Sequence, residues 1–467
     1  MLKITVYLLL LYAILSLFLN PWVPLLFYYL NGIMQPQFLW PWTFPEFSIS
    51  VSKILAIASI LALIKSMISG QVDFAIYKSK QNLALVAMWV LMHVSNAMSP
   101  FPNYFSGVKS EVVLSAMDTI VILYFVGLGI LSNQAMYEKA FKNFSIMFAF
   151  ITVYYVYWSN DMYFTGRWDM FTNGRLNSPI GTSIGDQNAL SALLIMGMPF
   201  LLIGYFYVEN KVLKLFCLGL IPLLWHSTFL FGSRGAMIAL AVTTFAALRM
   251  LGAHKANGFS TLKFKHVGLF KKFILGGFVL AALTQGGILL SRTSETADRA
   301  RQQTEEPLNP RLVSWMVGKK LILEFPLLGA GPERFQMAST QLYPGESTHV
   351  AHNTFINFSA NTGLPVGLLF LSMFWFNYKN FQYCKKNKIE KYPILDFVDK
   401  SCASALIAYF IAALFLDMII FEAFYFILML NLAKRFVFEK ELKLAASAGN
   451  KENAQKIDNA KTGHLVR

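Results

Sequence analysis

Charged side chains are scarce in this chain: Asp, Glu, Lys and Arg make up 14% of 467 residues, well under the roughly 25% of an ordinary soluble domain. Cysteine is scarcer still. Cys217, Cys384 and Cys402 fall in apolar runs or basic loops, so no disulfide framework staples the polar loops. Acids are fewer than bases, 25 against 40, and no outer loop carries an Asp-x-Asp pair with which to hold a divalent metal. The apolar segments also lack the strict alternation of barrel strands, which leaves helices as the spanning element.

What the chain does have is apolar surface, at 56% of positions. Runs near 4–34, 49–66, 83–98, 112–131, 143–158, 188–206, 213–231, 235–250, 273–291, 363–378, 402–418 and 420–437 are each long enough, at about 20 residues, to approach one membrane crossing. The first block either crosses once, kinked at Asn20, Pro21 and Pro24, or folds as a hairpin with its N-terminus outside. It lacks a small-residue cleavage site, so it is a retained segment rather than a secretion signal. The expectation is an all-α polytopic membrane protein of about twelve transmembrane helices. A bundle spans 1–291, one large polar loop domain 292–362 and the final helices 363–438. Residues 439–467, rich in Lys, Ala, Asn and Glu, read as a disordered cytoplasmic tail.

The net charge of +15 could suggest a nucleic-acid partner, but its distribution gives another reason for it. Following the runs alternately, 27 of the 40 Lys and Arg fall in 65–81, 132–143, 205–214, 249–272, 379–400 and 434–467. Only 11 fall in 34–49, 99–111, 159–188, 230–235 and 292–362. This positive-inside bias orients the bundle and puts the long polar stretch on the non-cytoplasmic, periplasmic side. Membrane lipids, not nucleic acid, are the partners it implies. Within 292–362, "RTSETADRARQQTEE" has helix-forming composition. "RLVSWMVGKKLILEF" reads as an interfacial helix with Trp315 at headgroup depth.

Water-phase chemistry belongs in that polar stretch. Arg234, in "FLFGSRGAMIAL", opens a helix at the outer edge of the hydrocarbon, where a guanidinium costs less than the roughly 2.5–3.5 kcal/mol of a helix centre. It can snorkel and fix helix depth. It can also clamp phosphate oxygens bidentately, as can Arg175, Arg311 and Arg334 on the same side. His352 lies in "AHNTF" just ahead of an apolar helix, with Asn353 beside it. His349 and Glu346 precede it at helical spacing, a set that could bind zinc if a fourth ligand were present. Arginines nearby favour the neutral imidazole and lower its pKa, making it available as a general base near neutral pH. Asp417 and Glu422 mark the turn of the last hairpin, at the membrane interface.

Three stretches, "GSRGAMIAL", "RLVSWMVGKKLILEFPLLGAGPERF" and "HNTFINFSANTGLPVGLLF", resemble the bacterial O-antigen ligase and polymerase superfamily over about Arg175 to Gly367. In that family an arginine is followed, after three residues, by leucine; here Ile238 stands in that place. A His-Asn pair is followed by nine residues, a glycine, two residues and a glycine. His352, Asn353 and Gly363 fit, whereas the second glycine is Gly367, one position late, which questions local packing there. The first 160 residues look more loosely like the exosortase-associated O-glycosylation ligase branch.

The resemblance implies a GT-C-like glycosyltransferase that moves a glycan from an undecaprenyl-pyrophosphate donor to a hydroxyl acceptor, with inversion and without metal or other cofactor. His352, Arg234 and Arg311 would be catalytic; Arg175, His349, Arg334 and Asn353 would bind substrate. The acceptor could be lipid A core, another glycan or a protein. A flippase for a lipid-linked glycan is the alternative of another class, and it would need ionisable groups at mid-membrane. Asp118 is the one acid well inside a run before the final hairpin.

Overall fold

A computed structural model describes residues 2–44, 50–179, 186–252, 272–277, 279, 283, 310–346 and 349–463. The protein is a helical polytopic membrane protein. Its principal helices are α1 Leu2–Ser16, α2 Trp22–Met34, α3 Val51–Ile68, α4 Lys80–Met98, α5 Ser110–Leu131, α6 Tyr137–Phe164, α7 Gln187–Tyr207, α8 Lys211–Leu230 and α9 Arg234–Gly252. They continue with α10 Pro310–Glu324, α11 Phe335–Leu342, α12 Thr354–Thr362, α13 Leu364–Lys386, α14 Pro393–Ala413 and α15 Glu422–Gly463. Every apolar run coincides with a helix except 273–291, most of which lies outside the described residues. The helix expected over 292–306 lies outside them too. Among the described residues, α3, α5, α7, α8 and α9 are long and apolar enough to cross a membrane by length and composition.

Local chemistry sets the helix starts. Ser50, Ser79, Asp186 and Asn210 each accept a backbone N–H of the first turn that follows, satisfying donors that a helix leaves unpaired. Helix α7 is apolar on all sides and is accordingly central. Of its spanning window 94% is buried, packed by α6, α8, α9 and α14, as expected of a helix without a polar face.

The first block is a hairpin. Tyr12 on α1 meets Phe27 on α2 at 6.3 Å between ring centroids. The intervening turn lies beside the end of α3, where Lys65 donates to the Phe18 carbonyl. Helix α1 also touches the turn at 41–43, so its start shares a face with the loops following α2, α4 and α6.

Two boundaries differ from expectation. The segment 379–400, expected as a basic inner loop, is mostly helix, because α13 runs to Lys386 and α14 begins at Pro393. Its charges can be buried because they pair: Lys400 Nζ lies 2.9 Å from Asp396, and Lys434 reaches Asp399. Helix α15 continues to Gly463, so the backbone is helical over most of the stretch where composition predicts a disordered tail.

The described part of the polar stretch forms a small layer over one end of the bundle, with its own core of Phe101, Val317, Leu321, Phe335, Ala338, Ala351 and Ala360. Helix α10 therefore packs inward on one face. Trp315 is half-buried and donates to the Ala351 carbonyl at 2.7 Å, while Leu312, Met316 and Leu323 remain exposed on the other face. The turn after α10 is laced to the end of α12. Ala330 and Gly331 N–H donate to the carbonyls of Ala360 and Asn361, and Leu364 N–H to that of Pro326. Gly363 sits at φ 94°, and a Cβ there would stand 2.1 Å from the Leu327 oxygen, a closeness only glycine tolerates. At Gly367 a Cβ would meet Ser359 Oγ at 2.0 Å. The late glycine is thus where α12 and α13 come closest, and the extra residue leaves that contact intact.

Candidate functional site

Arg175 is placed by a two-residue hairpin. Phe171–Thr172 pairs with Arg175–Leu176, and the turn between them is Asn173-Gly174, both at positive φ, the chemistry of a type I′ turn. From there Arg175 Nε donates to the Phe231 carbonyl at 2.8 Å and a terminal nitrogen donates to Asn188 Oδ1 at 2.7 Å. Asn188 in turn donates to Asp186, the cap of α7. One guanidinium therefore ties the end of α8 to the start of α7.

Arg234 stands three residues beyond Phe231, exposed, as the first residue of α9. A cation there opposes the helix dipole, so helix stability does not account for it. Together with the positive end of the helix dipole it makes a favourable place for an anion.

His352 is half-buried between buried Ala351 and Asn353, with φ at 46°. A left-handed backbone is unusual for a residue other than glycine, and such strain is concentrated at functional positions. Burial lowers the imidazole's pKa below its ordinary value, Arg311 and His349 lower it further, and Asp186 opposes them. Arg311, His349 and Asp186 thus lie near enough to act on its charge. Arg311 is exposed near the start of α10.

The residues that follow Arg234 and His352 meet the same segment, the turn between α14 and α15. A Cβ on Gly235 would be 2.9 Å from the Phe415 ring. Asn353 Nδ2 donates to the Leu414 carbonyl at 3.1 Å, and Thr354 Oγ1 to that of Leu416 at 2.7 Å. Arginine and histidine are thus on one face of the bundle, each one residue from a contact with 414–416.

Two expected ligands have structural engagements instead. Asn353 Oδ1 caps α12 by accepting from Ile356 N–H, and its Nδ2 is used on Leu414, so this 7% exposed side chain positions its neighbour His352. Arg334 is 9% exposed, and its terminal nitrogens reach Asn96 Oδ1 at 2.8 Å and the Asn96 carbonyl at 3.3 Å. It braces the loop layer against α4. The zinc alternative loses Glu346, which pairs with Lys320 at 2.5 Å. Among the described residues no three His, Cys, Asp or Glu side chains converge as a metal-binding group.

Sequence reasoning missed a carboxylate pair. Glu333, at φ 57° in the turn after α10, faces Asp417 in the α14–α15 turn. Burial pushes the Glu333 carboxyl up to about 8, with Asp417 adding to it. Burial also raises Asp417, against the hydrogen bonds it accepts from Asn357 and from Ile419 N–H. Asn357 passes the link to Asn361, whose Oδ1 accepts from Phe335 N–H at 2.8 Å. The sequence signal was faint: a glutamate directly after Gly-Ala-Gly-Pro, where the turn calls for a left-handed residue.

This arrangement can neutralise a polyanion and accept a proton beside it. Residues 219–371 match the family model described as O-Antigen ligase. That match makes this part of the chain similar to the O-antigen ligases and supports the resemblance read from the motifs. Within it, Arg234, Arg311, His352 and Glu333 all lie inside the matched segment, while Arg175 and Asp417 flank it. The match supports a glycosyltransferase of the O-antigen ligase type, which implies a lipid-linked glycan and an acceptor as substrates. No curated protein matches the chain.

Proposed function

We propose that this O-antigen ligase domain moves a glycan from an undecaprenyl-pyrophosphate donor to a hydroxyl acceptor on the periplasmic face of the inner membrane. The observation that carries the reading is that Arg234 and His352 each stand one residue from a contact with the same turn, 414–416, with Arg311 near enough to His352 to act on its charge. Arg234 and Arg311, helped by Arg175, grip the diphosphate and offset the charge that grows as it leaves. His352 takes the acceptor proton as the hydroxyl oxygen bonds to the anomeric carbon. The bond from that carbon to the phosphate oxygen breaks, and its electron pair departs with the diphosphate. Displacement from the opposite side inverts the centre in one step, as in a GT-C-like transferase. The charge supply comes from the arginines, so the reaction is expected to run without metal. The bias of lysine and arginine toward the other end of the bundle supports the periplasmic orientation.

The acceptor, whether lipid A core, a growing glycan or a protein, is chosen by the outer loops. The flippase alternative is less favoured. Asp118 is half-exposed and paired, accepting from Trp89 at 2.6 Å and lying 2.7 Å from His93 Nε2, so it is not poised as a free coupling group. The test is transfer by reconstituted protein with a defined lipid-pyrophosphate glycan and separate acceptors. Transfer that depends on His352 supports the reading, and donor translocation without transfer would overturn it.

A further inference from the structure

At the opposite, lysine-rich end of the bundle is a cavity of about 610 Å³ between α4, α13 and α15. Lys78, Lys80, Lys379, Arg435, Lys440 and Lys443 line it, against two acids, Asp73 and Glu439. Lys440 is taken up by Asp73 at 2.7 Å. Glu439 lies 3.7 Å from both Arg435 and Lys443, too long for firm neutralisation. Lys78 and Lys80 are exposed, and Lys80 begins α4, where the helix dipole adds to the positive field.

Buried polar atoms in the wall lack partners. Asn380 is 6% exposed; its Oδ1 accepts from Arg435 at 3.0 Å, yet its Nδ2 has no acceptor. Arg435 Nε is likewise unpaired. Gln81 is 2% exposed; its Nε2 donates to Tyr124 and Leu428, leaving Oε1 without a donor. Buried polar groups are rarely left so. Two unused donors beside cations suit a phosphate, and an unused acceptor suits a hydroxyl.

Aromatic residues and a lysine stand beside the cavity. Trp375 and Tyr378 are 55% and 51% exposed and stack at 5.8 Å, with Lys379 Nζ 4.7 Å above the Trp375 ring. Exposed aromatics and lysine at a helix end mark headgroup depth, and basic pockets between membrane helices hold anionic headgroups. We propose that this cavity binds one anionic glycerophospholipid whose headgroup carries a hydroxyl, phosphatidylglycerol being the probe. The phosphodiester lies toward Asn380, Arg435 and Lys379, the headgroup hydroxyl toward Gln81, and the acyl chains leave beside Trp375.

The test uses the full chain purified in detergent and titrated with short-chain phosphatidylglycerol, short-chain phosphatidylcholine, glycerol phosphate or inorganic phosphate, reading the melting temperature. Phosphatidylglycerol is expected to raise it saturably and phosphatidylcholine is not. Lys80→Gln with Lys379→Gln should weaken the midpoint by about 25-fold, at roughly fivefold per cation, without changing the lipid-free melting temperature. Lys78→Gln alone should cost about fivefold and serves if the double variant does not fold. Lys391→Gln, outside the cavity, should cost nothing. Equal response to phosphatidylcholine, an unchanged midpoint in the variants or the same loss from Lys391→Gln would overturn the site. A shift by glycerol phosphate or inorganic phosphate as large as that by the lipid would overturn its assignment to a lipid.

Discussion

The carboxyl of Glu333 titrates near 8 because burial and Asp417 disfavour its charge, and this makes the stability of the protein pH-dependent in a predictable direction. A carboxyl raised above its ordinary value of 4.5 binds more protons in the folded than in the unfolded state between the two values. Its stabilising protonated form is fully present below 4.5, and the contribution is lost as pH rises through 8. At 1.36 kcal/mol per unit the unscreened loss would be about 4–5 kcal/mol. Glu333 is only partly buried, so solvent screening brings the expected value to about 2 kcal/mol. Glu333→Gln imitates the protonated form at every pH. It should melt with the wild type at pH 4.5 and a few degrees above it at pH 9. Glu333→Gly also removes the left-handed strain, worth about 1 kcal/mol, and should be more stable than wild type at both. Melting followed by tryptophan fluorescence in one detergent checks both. A Glu333→Gln curve parallel to wild type from pH 4.5 to 9 would refute the raised carboxyl at Glu333.

His352→Ala is expected to lower transfer by about 10²–10⁴-fold with donor binding retained, and the wild-type rate should fall only when pH drops below the ordinary histidine value, since the imidazole's pKa is lowered. A pH profile unchanged by the substitution would remove it from proton transfer. Arg234→Ala should lose about 10²–10³-fold, with little recovered in Arg234→Lys because an ammonium lacks the bidentate fork; a fully active lysine form would leave only a depth anchor. Asn353→Ala should destabilise by about 1–2 kcal/mol through loss of the cap. Asn353→Asp restores the cap but cannot donate to Leu414, so melting should recover while transfer does not. Transfer should survive EDTA, and loss that zinc restores would return Glu346, His349 and His352 to consideration as ligands.

The helices were legible because each crossing needs a run of apolar residues that no loop of this chain possesses. Their inner boundaries were not. Asp396, Asp399 and Lys400 look like loop residues singly, and only pairing in space, with Lys434 coming from another helix, lets them be buried. At the site, Arg175, Arg234, Arg311 and His352 could be named from residue type and side of the membrane. Arg334 and Asn353 look the same on paper, yet the terminal nitrogens of the first bond Asn96 and the amide of the second bonds Leu414. Glu333 was hidden because its distinguishing property is a backbone angle; Asp417 stood out in the last hairpin, but its pairing did not, because Glu333 lies more than eighty positions away.

The turn between α14 and α15 is gripped from both sides, by the start of α9 at Phe415 and by α12 at Leu414 and Leu416. Such a rivet makes the spacing between guanidinium and imidazole insensitive to tilting of the bundle, because both would travel with it. Helix α10, which carries Arg311 and meets Ala351 through Trp315, is then the part whose tilt would change the grip on the donor. A transferase so built keeps its proton acceptor and one cation of the donor site in fixed register, and carries a second cation, Arg311, on a helix of its own.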